Sequence, residues 1–437
     1  MTALNSHMVF IGIGGIGMSA LARHCLRQGK PVFGYDKVRT ELTTSLESEG
    51  AIITYEENID SYPGWAPKDT TVVYTPAIPK SNAWISFFAS FSPIKRAQAL
   101  AGIAHNKRCL AVAGTHGKTS TSALLTHILT EAGEDPTAFI GGIMSATKTN
   151  YRLGNGQWIV VEADEFDRSF LHLHPEAAAI TTIDADHLDT YEHENSLKEA
   201  FGTFRGQVSS SVFTPTSLKD TILIGSPGSH AWASEINPEN GAFHFTLNLA
   251  GEAVQTALYM PGHHNVTNAV LAASLAHFAG VPVGKIGQAI QNFAGIRRRF
   301  EYHLHQPITL IEDYAHHPTE INALVRSIKA LYPEEKICLC FQPHLYSRTR
   351  DFMDGFAEAL DRADKVFLLP IYPAREKPIE GISSHALAAK MKHARVVEKK
   401  HLAASIKVSQ PEVVLIVGAG DIGDLVPIIK AEFACEK

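Results

Sequence analysis

Short apolar runs alternate with amphipathic stretches through the N-terminal part of the chain. Residues 9–13, 31–35 and 71–74 are apolar runs that predict strands. Residues 16–27 have the helical spacing of apolar and polar positions. Because strands that alternate with helices are typical of βαβ units, this region predicts an α/β domain with a mostly parallel sheet.

Two further series of the same kind follow along the chain. Residues 121–130 and 264–279 predict helices. Residues 207–262 predict a small antiparallel insertion, because short strands there are separated by turns rich in Ser, Gly, Pro and Asn. The predicted strands of the two series are residues 110–113, 157–161, 177–182, 309–311, 336–341, 365–369 and 413–417. Residues 84–91 are apolar without a clear period and stay unassigned.

Length and charge limit the possible classes of protein. The chain has 437 residues, of which 45% are hydrophobic and 19% charged, as in ordinary globular proteins. At about 150 residues per domain, this length predicts roughly three domains. The formal net charge of −6 argues against a broad nucleic-acid surface, although a local cationic pocket for a phosphorylated substrate is compatible with it.

Cysteine usage and apolar stretches predict a cytoplasmic protein without a membrane partner. The five cysteines are few and odd in number, which suits a reducing compartment. The apolar stretch at residues 9–22 follows no basic segment, is interrupted by glycines and is too short to span a bilayer.

A glycine-rich turn between a predicted strand and a predicted helix indicates a nucleotide-phosphate site. Such a turn directs several backbone N–H groups at one point, Lys118 adds a full charge, and the Thr119 hydroxyl can ligate Mg²⁺. The turn is shorter than the general P-loop pattern, which would place its first glycine at Val112. The candidate phosphate-binding residues are Gly114, Thr115, His116, Gly117, Lys118, Thr119 and Ser120.

Two other turns have the spacing G-x-G-x-x-G. Gly12, Gly14 and Gly17 follow the first predicted strand, and Asp36 lies about 20 residues further on. This pattern admits the diphosphate either of a dinucleotide such as NAD or of another nucleoside diphosphate. The second turn, at residues 418–423, has too little chain after it for a dinucleotide unit, and it predicts a tight turn facing a cleft.

Acidic groups follow two predicted strands of the central series, at residues 162–165 and 184–189. Ligands of parallel sheets bind beyond the carboxyl ends of the strands, so we expect both groups to face the phosphate turn. Glu162 with Thr119 would form a magnesium site, and His187 would join a second position. The alternative for the aspartates in these groups is that they cap helices.

Further polar groups lie beyond residue 260. The amides at the start of the predicted helix 264–279 either read an adenine edge or, as Asn265 can, cap the helix. Arg297–Arg299 is either a solvated linker or a phosphate clamp. Residues 312–318 and 342–350 collect His, Tyr and Arg side chains after predicted strands.

In order along nearly the whole chain, these motifs resemble those of the Mur ligase family of peptidoglycan synthesis, most closely its alanine-adding members. The motifs are residues 12–18, 114–119, 162–165, 186–189, 264–268, 313–318 and 341–350. The resemblance implies three α/β domains. They are a Rossmann-like UDP-sugar-binding domain (residues 1–106), a central P-loop ATPase domain with a mostly parallel sheet (107–296) and a C-terminal Rossmann-like amino-acid-binding domain (297–437).

The resemblance also implies roles for individual residues. The sugar nucleotide would bind to Gly12, Gly14, Gly15, Ile16, Gly17 and Asp36, and the amino acid to His317, His344, Tyr346 and Arg348. The residues implied in catalysis are Lys118, Glu162, His187 and His344, with Thr119, Glu162 and His187 at the magnesium ions. Asn268 would read adenine, and Arg298 or Arg299 would face phosphate. Leu345 departs from the pattern, since many alanine-adding members have arginine there.

The implied reaction joins L-alanine to the lactyl carboxylate of UDP-N-acetylmuramic acid through an acyl phosphate, with ATP and Mg²⁺ (or Mn²⁺), in a monomer or weak homodimer. The nearest alternative is a recycling ligase that adds a murein tripeptide to the same UDP-sugar. More distant alternatives are an NAD-dependent oxidoreductase and a non-catalytic nucleotide-binding regulator, both of which leave part of the motif set unexplained.

Overall fold

The computed structural model describes residues 4–183, 194–374 and 376–434. Contacts divide the chain into two compact units. The first consists of Met1–Ser234, Thr246–Thr256 and Thr267–Phe293, and the second of Glu235–Phe245, Ala257–Val266 and Ala294–Lys437. None of the helices in the described ranges is long and apolar enough to cross a membrane. The predicted boundaries after residues 106 and 296 stay predictions.

The first sheet has five parallel strands in the order β3-β2-β1-β4-β5. Its strands are β1 (His7–Ile11), β2 (Val32–Tyr35), β3 (Ile52–Thr54), β4 (Thr70–Tyr74) and β5 (Ile94–Lys95), and its helices are α1 (Ile16–Arg27), α2 (Glu41–Ser48), α3 (Ala83–Phe87) and α4 (Arg96–Ala104). Met8 and Phe10 of β1 pack into one apolar cluster, and Val9 and Ile11 into another. Burial on both faces explains why this strand is a continuous apolar run.

The second sheet, also in the first unit, has seven strands in the order β12-β11-β10-β6-β9-β7-β8. Its strands are β6 (Arg108–Ala113), β7 (Thr137–Met144), β8 (Thr149–Arg152), β9 (Trp158–Glu162), β10 (Ala177–Ile180), β11 (Ser211–Thr214) and β12 (Ile222–Leu223), with helices α5 (Lys118–Glu131) and α6 (Glu194–Gln207). All neighbouring strands are parallel except β7 and β8, which form an antiparallel pair. The carboxyl ends of β6 and β9 therefore lie at the same edge, where the phosphate turn and Glu162 follow them.

The first two sheets share one apolar core. A single cluster of buried side chains includes Leu21 and Cys25 of α1 together with Phe139 and Ile159 of the second sheet. A buried polar network joins the same elements, because the Arg23 guanidinium donates to Asn150 Oδ1 at 2.5 Å.

The remaining strands form two further sheets. Strands β13 (Ala231–Glu239), β14 (Ala242–Leu249) and β15 (Glu252–Leu258) form a three-stranded sheet and are followed by α7 (His263–Phe278) and α8 (Val283–Gln291). The last sheet, in the second unit, has the order β16-β17-β21-β18-β19-β20 and is parallel except for its edge strand β16. Its strands are β16 (Glu301–Leu304), β17 (Thr309–Asp313), β18 (Ile337–Phe341), β19 (Lys365–Leu368), β20 (Ala394–Val396) and β21 (Val413–Val417). Its helices are α9 (Pro318–Leu331), α10 (Tyr346–Asp351), α11 (Met353–Leu360), α12 (Ser384–Ala388), α13 (Leu402–Ser409) and α14 (Val426–Ala434).

The structure corrects the prediction for residues 207–262. Only the later part of this region forms a separate small sheet. Strands β11 and β12 instead extend the parallel second sheet. With four and two residues, they are too short to show a strand period. The unassigned residues 84–91 are helical, and Trp84 and Phe88 within them are buried against the first sheet.

Candidate active site

The first glycine turn connects β1 to α1 and is braced by Asp36. Gly12 has a φ of +89°, and a Cβ there would lie 2.6 Å from the Thr75 side chain. The Gly14 N–H donates to Asp36 Oδ2 at 2.8 Å. Gly15 precedes the first residue of α1, so the free N–H groups at the start of that helix face the turn. The turn thus offers backbone donors to an anion, and its role in binding a sugar nucleotide stays a prediction.

The phosphate turn between β6 and α5 depends on two glycines. Gly114 has a φ of +133°, and a Cβ there would overlap the Thr181 side chain. Gly117 has a φ of +81°, and its Cβ would lie 2.5 Å from Asn268 Oδ1. Helix α5 then begins at Lys118, earlier than the predicted start at residue 121. Its positive end and free N–H groups therefore face the turn, as a phosphate group requires. The Asn268 side chain packs against the same turn.

Lys118 lies at the centre of this group and faces a buried carboxylate. Its Nζ donates to the carbonyl oxygen of Gly114 at 2.5 Å and lies 2.7 Å from Glu165 Oε2. The Glu165 side chain is 0% exposed. Burial opposes the lysine charge, but the nearby carboxylates of Glu165 and Asp164 outweigh it and hold the pKa of Lys118 above its ordinary value. Lys118 is therefore a firmly charged cation in the turn.

Glu162 ends β9 beside the N-terminus of α5. Its carboxylate accepts from Thr119 Oγ1 at 2.9 Å, from the Gly141 N–H at 2.7 Å and from Ser122 Oγ at 3.3 Å. A carboxylate and a hydroxyl at this distance are the hard oxygen donors that Mg²⁺ prefers, usually with substrate phosphates completing its shell. The residues present therefore fit the ion. His187, the third predicted ligand, lies outside the described residues.

One cavity of about 360 Å³ joins the two turns within the first unit. It is lined by Gly15, Ile16 and Gly17 of the first turn, by Lys118 of the phosphate turn and by Glu162 at the end of β9. A ligand in this cavity would contact the N-terminus of α1 and the phosphate turn at the same time.

Two ion pairs on the wall of this cavity were not predicted. Arg96 Nη2 lies 2.9 Å from Asp164 Oδ2, and Lys95 Nζ lies 2.7 Å from Asp167 Oδ2. Asp167 and the next residue, Arg168, both have a φ of 54°, which is strained for residues other than glycine. Lys95 ends β5 and Arg96 begins α4, and the only sequence signal for them was two adjacent basic residues near the end of the first predicted domain.

In the second unit, His344 follows β18 and lies in a group of polar side chains. Its ring stacks on that of Tyr372 with a centroid distance of 5.6 Å, and the His316 ring lies 6.4 Å away. Glu376 accepts from the Ser347 N–H at 2.9 Å, at the start of α10. The sequence predicted His344, Tyr346 and Arg348 here, but not His316 or Glu376. Leu345, between His344 and α10, has a φ of 72°.

His316 and His317 have different surroundings although they are neighbours in the chain. His317 is the N-cap of α9, where its Nδ1 accepts from the Thr319 N–H at 3.3 Å, and its ring packs on Phe352. His316 instead lies beside His344. His317 therefore has a structural role in the second unit, and its predicted contact with the amino acid stays a prediction.

We expect His344 to lower the stability of the protein at acidic pH. Burial, with the charges of His316 and Arg348, lowers the pKa of His344 from 6.5 to about 4. Between these values the unfolded chain binds a proton at this imidazole that the folded chain does not bind, so the free energy of unfolding falls as the pH falls. Denaturant titrations at pH 7 and pH 4.5 should show that the free energy of unfolding falls less between these values for His344→Gln than for the wild type.

The control for this measurement is His385→Gln, which removes an exposed imidazole from α12. If His344→Gln lost as much stability as the wild type between the two pH values, His344 would titrate as an ordinary histidine.

The arginine run at residues 297–299 follows α8 in the sequence. Arg297 is exposed, whereas Arg298 and Arg299 are half-buried beside the Tyr314 ring, with centroid distances of 4.9 and 5.1 Å. The Asp313 carboxylate accepts from the Phe300 N–H at 2.8 Å, and burial raises its pKa to about 6. A cationic group thus lies at the carboxyl end of β17.

Comparison with known proteins identifies the family to which this chain belongs. Residues 7–108 match the model for the catalytic domain of the Mur ligase family, residues 112–276 the Mur ligase middle domain, and residues 298–420 the Mur ligase glutamate ligase domain. The chain belongs to the Mur ligase family. The resemblance seen in the motifs is confirmed, and so is the three-domain α/β architecture that it implied.

Two relatives place this Mur ligase more closely, and a third protein shares its fold. The UDP-N-acetylmuramate–L-alanine ligase of Flavobacterium psychrophilum is 45% identical over 98% of both chains. The crystal structure of the UDP-N-acetylmuramate-alanine ligase of Thermotoga maritima matches 99% of this chain and 100% of its own with a TM-score of 0.84 and 30% identity. A murein peptide ligase of Psychrobacter arcticus has a TM-score of 0.72 at 22% identity over 98% of each chain, which shows a shared fold alone.

Proposed function

We propose that this Mur ligase joins L-alanine to the lactyl carboxylate of UDP-N-acetylmuramic acid with the hydrolysis of ATP to ADP and phosphate. The observation that carries the proposal is the cavity that joins the first glycine turn to Lys118 and Glu162. A sugar nucleotide bound at the first glycine turn would present its carboxylate to a nucleoside triphosphate at the phosphate turn. The alanine-adding relatives at 45% and 30% identity support the same substrates.

The proposed reaction has two steps. A carboxylate oxygen bonds to the γ-phosphorus of ATP while the bond to ADP breaks, which gives an acyl phosphate. The amine of alanine then bonds to the acyl carbon, and phosphate leaves with the oxygen. Phosphoryl transfer depends mainly on positioning and on neutralising charge, which is what Lys118 and the N-terminus of α5 offer.

Mg²⁺ bound at Thr119 and Glu162 would neutralise charge on the phosphate oxygens. Asp164 and Asp167 hold Arg96 and Lys95 at the cavity wall, where these cations attract an anionic substrate. The second step releases a proton from the amine. The His344 imidazole is the acceptor proposed from the sequence; its lowered pKa keeps it neutral near pH 7 and makes it a weaker base than an ordinary histidine.

A substrate panel tests the proposal. We expect phosphate release with ATP and UDP-N-acetylmuramic acid to require L-alanine, and kcat/KM for glycine to be roughly 10- to 100-fold lower, since a missing methyl group in a fitted pocket has about that effect. Phosphate release is measured in a coupled assay, and the amide product by mass spectrometry.

The same panel distinguishes the alanine-adding function from that of the recycling ligase. Phosphate release stimulated by the murein tripeptide and not by alanine would replace the alanine-adding function with that of the recycling enzyme. Release with neither amine would contradict both functions. The oxidoreductase alternative has lost its support, because the family is one of ligases.

A further inference from the structure

The antiparallel pair of β7 and β8 contacts both Glu162 and the start of α1. Phe139 of β7 pairs with Tyr151 of β8. Gly141 and Asn150 lie near this pair along the two strands. The Gly141 N–H donates to Glu162 Oε2 at 2.7 Å, and a Cβ on Gly141 would lie 2.5 Å from Glu162 Oε1. Strand β7 therefore fixes the carboxylate that lies beside the phosphate turn.

Asn150, on the other strand of the pair, holds the first turn of α1. Asn150 is 0% exposed, and its Nδ2 donates to the carbonyl oxygen of Ile16 at 2.5 Å and to Ser19 Oγ at 3.1 Å. Ser19 Oγ donates to the same carbonyl oxygen at 2.9 Å. Ile16 is the first residue of α1 and lines the cavity. Asn150 thus binds this helix at the end whose free N–H groups face the first glycine turn.

The oxygen of the Asn150 amide is bound by Arg23, in the middle of the same helix. Arg23 Nη1 donates to Asn150 Oδ1 at 2.5 Å, and the guanidinium also donates to Glu49 Oε1 at 2.8 Å and to Ser45 Oγ at 3.0 Å. A buried amide whose oxygen and nitrogen are both bound has one orientation that satisfies its hydrogen bonds. Arg23 therefore fixes Asn150 with its NH₂ group towards Ile16.

Tyr151, the next residue of β8, contacts the same helix near its C-terminal end. Its hydroxyl forms a hydrogen bond with His24 Nδ1 at 2.8 Å. Ile16 and His24 lie about two helical turns apart, so α1 is attached to β8 at two separate points. Two attachments determine both the rotation of the helix and its position along its axis.

We propose that Asn150 is a positioning residue, which holds the N-terminus of α1 in register with Glu162 and so aligns a nucleoside diphosphate at the first glycine turn with the phosphate turn. The inference rests on the proposed function. Asn150 is not among the residues that line the cavity, and it acts through the backbone of Ile16.

The variant Asn150→Asp tests this role. It keeps an oxygen for Arg23 but loses the N–H donors to Ile16, and it places a carboxylate oxygen beside the carbonyl oxygen. We expect the dissociation constant of UDP, measured by calorimetry, to rise about 10-fold, as for the loss of one buried hydrogen bond. The kcat for amide formation at saturating substrates should fall about 10-fold or more, because the carboxylate of the sugar nucleotide is displaced from the γ-phosphate.

A second ligand separates positioning from a general loss of structure. The dissociation constant of a non-hydrolysable ATP analogue should stay within about twofold of the wild-type value, because the hydrogen bonds of Asn150 go to α1. Asn155→Asp, at an exposed residue that follows β8, is the matched control and should keep wild-type values for both ligands. Asn150→Ala is measured alongside in case Asn150→Asp fails to fold, since two carboxylates would then bind Arg23. It should show the same rise for UDP.

Folded variants that bind UDP as the wild type does would overturn the proposal. An equal loss of affinity for UDP and for the ATP analogue would also overturn it, because Asn150 would then support the fold in general. Backbone hydrogen exchange of residues 13–22, measured without ligand, should be faster in both Asn150 variants than in the wild type. If the wild type bound no UDP, the proposed function would fail, whereas unchanged exchange in these residues would show that Asn150 does not hold the first turn of α1.

Discussion

Replacing Lys118 with alanine should lower the rate of amide formation by at least about 10³-fold, because no other side chain supplies a full charge at the start of α5 for phosphoryl transfer. The variant also removes the cation that faces the buried Glu165 carboxylate. Removing one partner of a buried ion pair costs about 3–5 kcal/mol of stability. Loss of activity alone would therefore not separate catalysis from folding.

Two further variants make that separation. Lys118→Ala with Glu165→Gln removes the buried charge together with its cation, so it should regain much of the lost melting temperature and stay inactive. Lys68→Ala removes an exposed lysine of the first sheet's domain and should leave both activity and stability unchanged. If the folded double variant kept more than about a tenth of the wild-type rate, Lys118 would not carry the phosphate chemistry assigned to it.

Glu162→Gln should lower kcat by about 100-fold and raise the Mg²⁺ concentration needed for half-maximal activity by at least about 10-fold. An amide loses the charge that attracts the ion, and its NH₂ group cannot accept from Thr119, Gly141 or Ser122 as a carboxylate oxygen does. The measurement is a magnesium titration of phosphate release at saturating ATP.

Glu131→Gln, at the exposed end of α5, is the matched control for charge and should show the magnesium dependence of the wild type. If the magnesium dependence of Glu162→Gln were unchanged, the ion would be held by other residues. A lower kcat without any change in that dependence would give Glu162 a purely structural role beside Thr119.

The parts of the site that could be predicted from the sequence are those determined by local backbone. The phosphate turn is one of them, since an apolar strand, two glycines and a lysine before a helix leave few alternatives for residues 114–120. Glu162 is another, because the end of a parallel strand determines the edge of the sheet at which it lies.

Other features depend on which way a side chain points in the folded molecule. His316 and His317 are adjacent, and spacing alone could not show that the second caps α9 while the first lies beside His344. The pairing of Lys95 and Arg96 with aspartates far along the chain is a tertiary contact without a local signal. Strands as short as β12 were missed for a related reason, since two residues contain no period.

The core shared by the first two sheets has an evolutionary consequence. Sheets of this kind are common as independent units, yet here Leu21 of α1 and Phe139 of β7 belong to one apolar cluster. Substitutions at contacting positions of the two domains are therefore expected to be coupled in their effects on stability, and the buried hydrogen bond between Arg23 and Asn150 adds a polar link between the domains. A recombination between the first glycine turn and the phosphate turn would therefore divide a single apolar core.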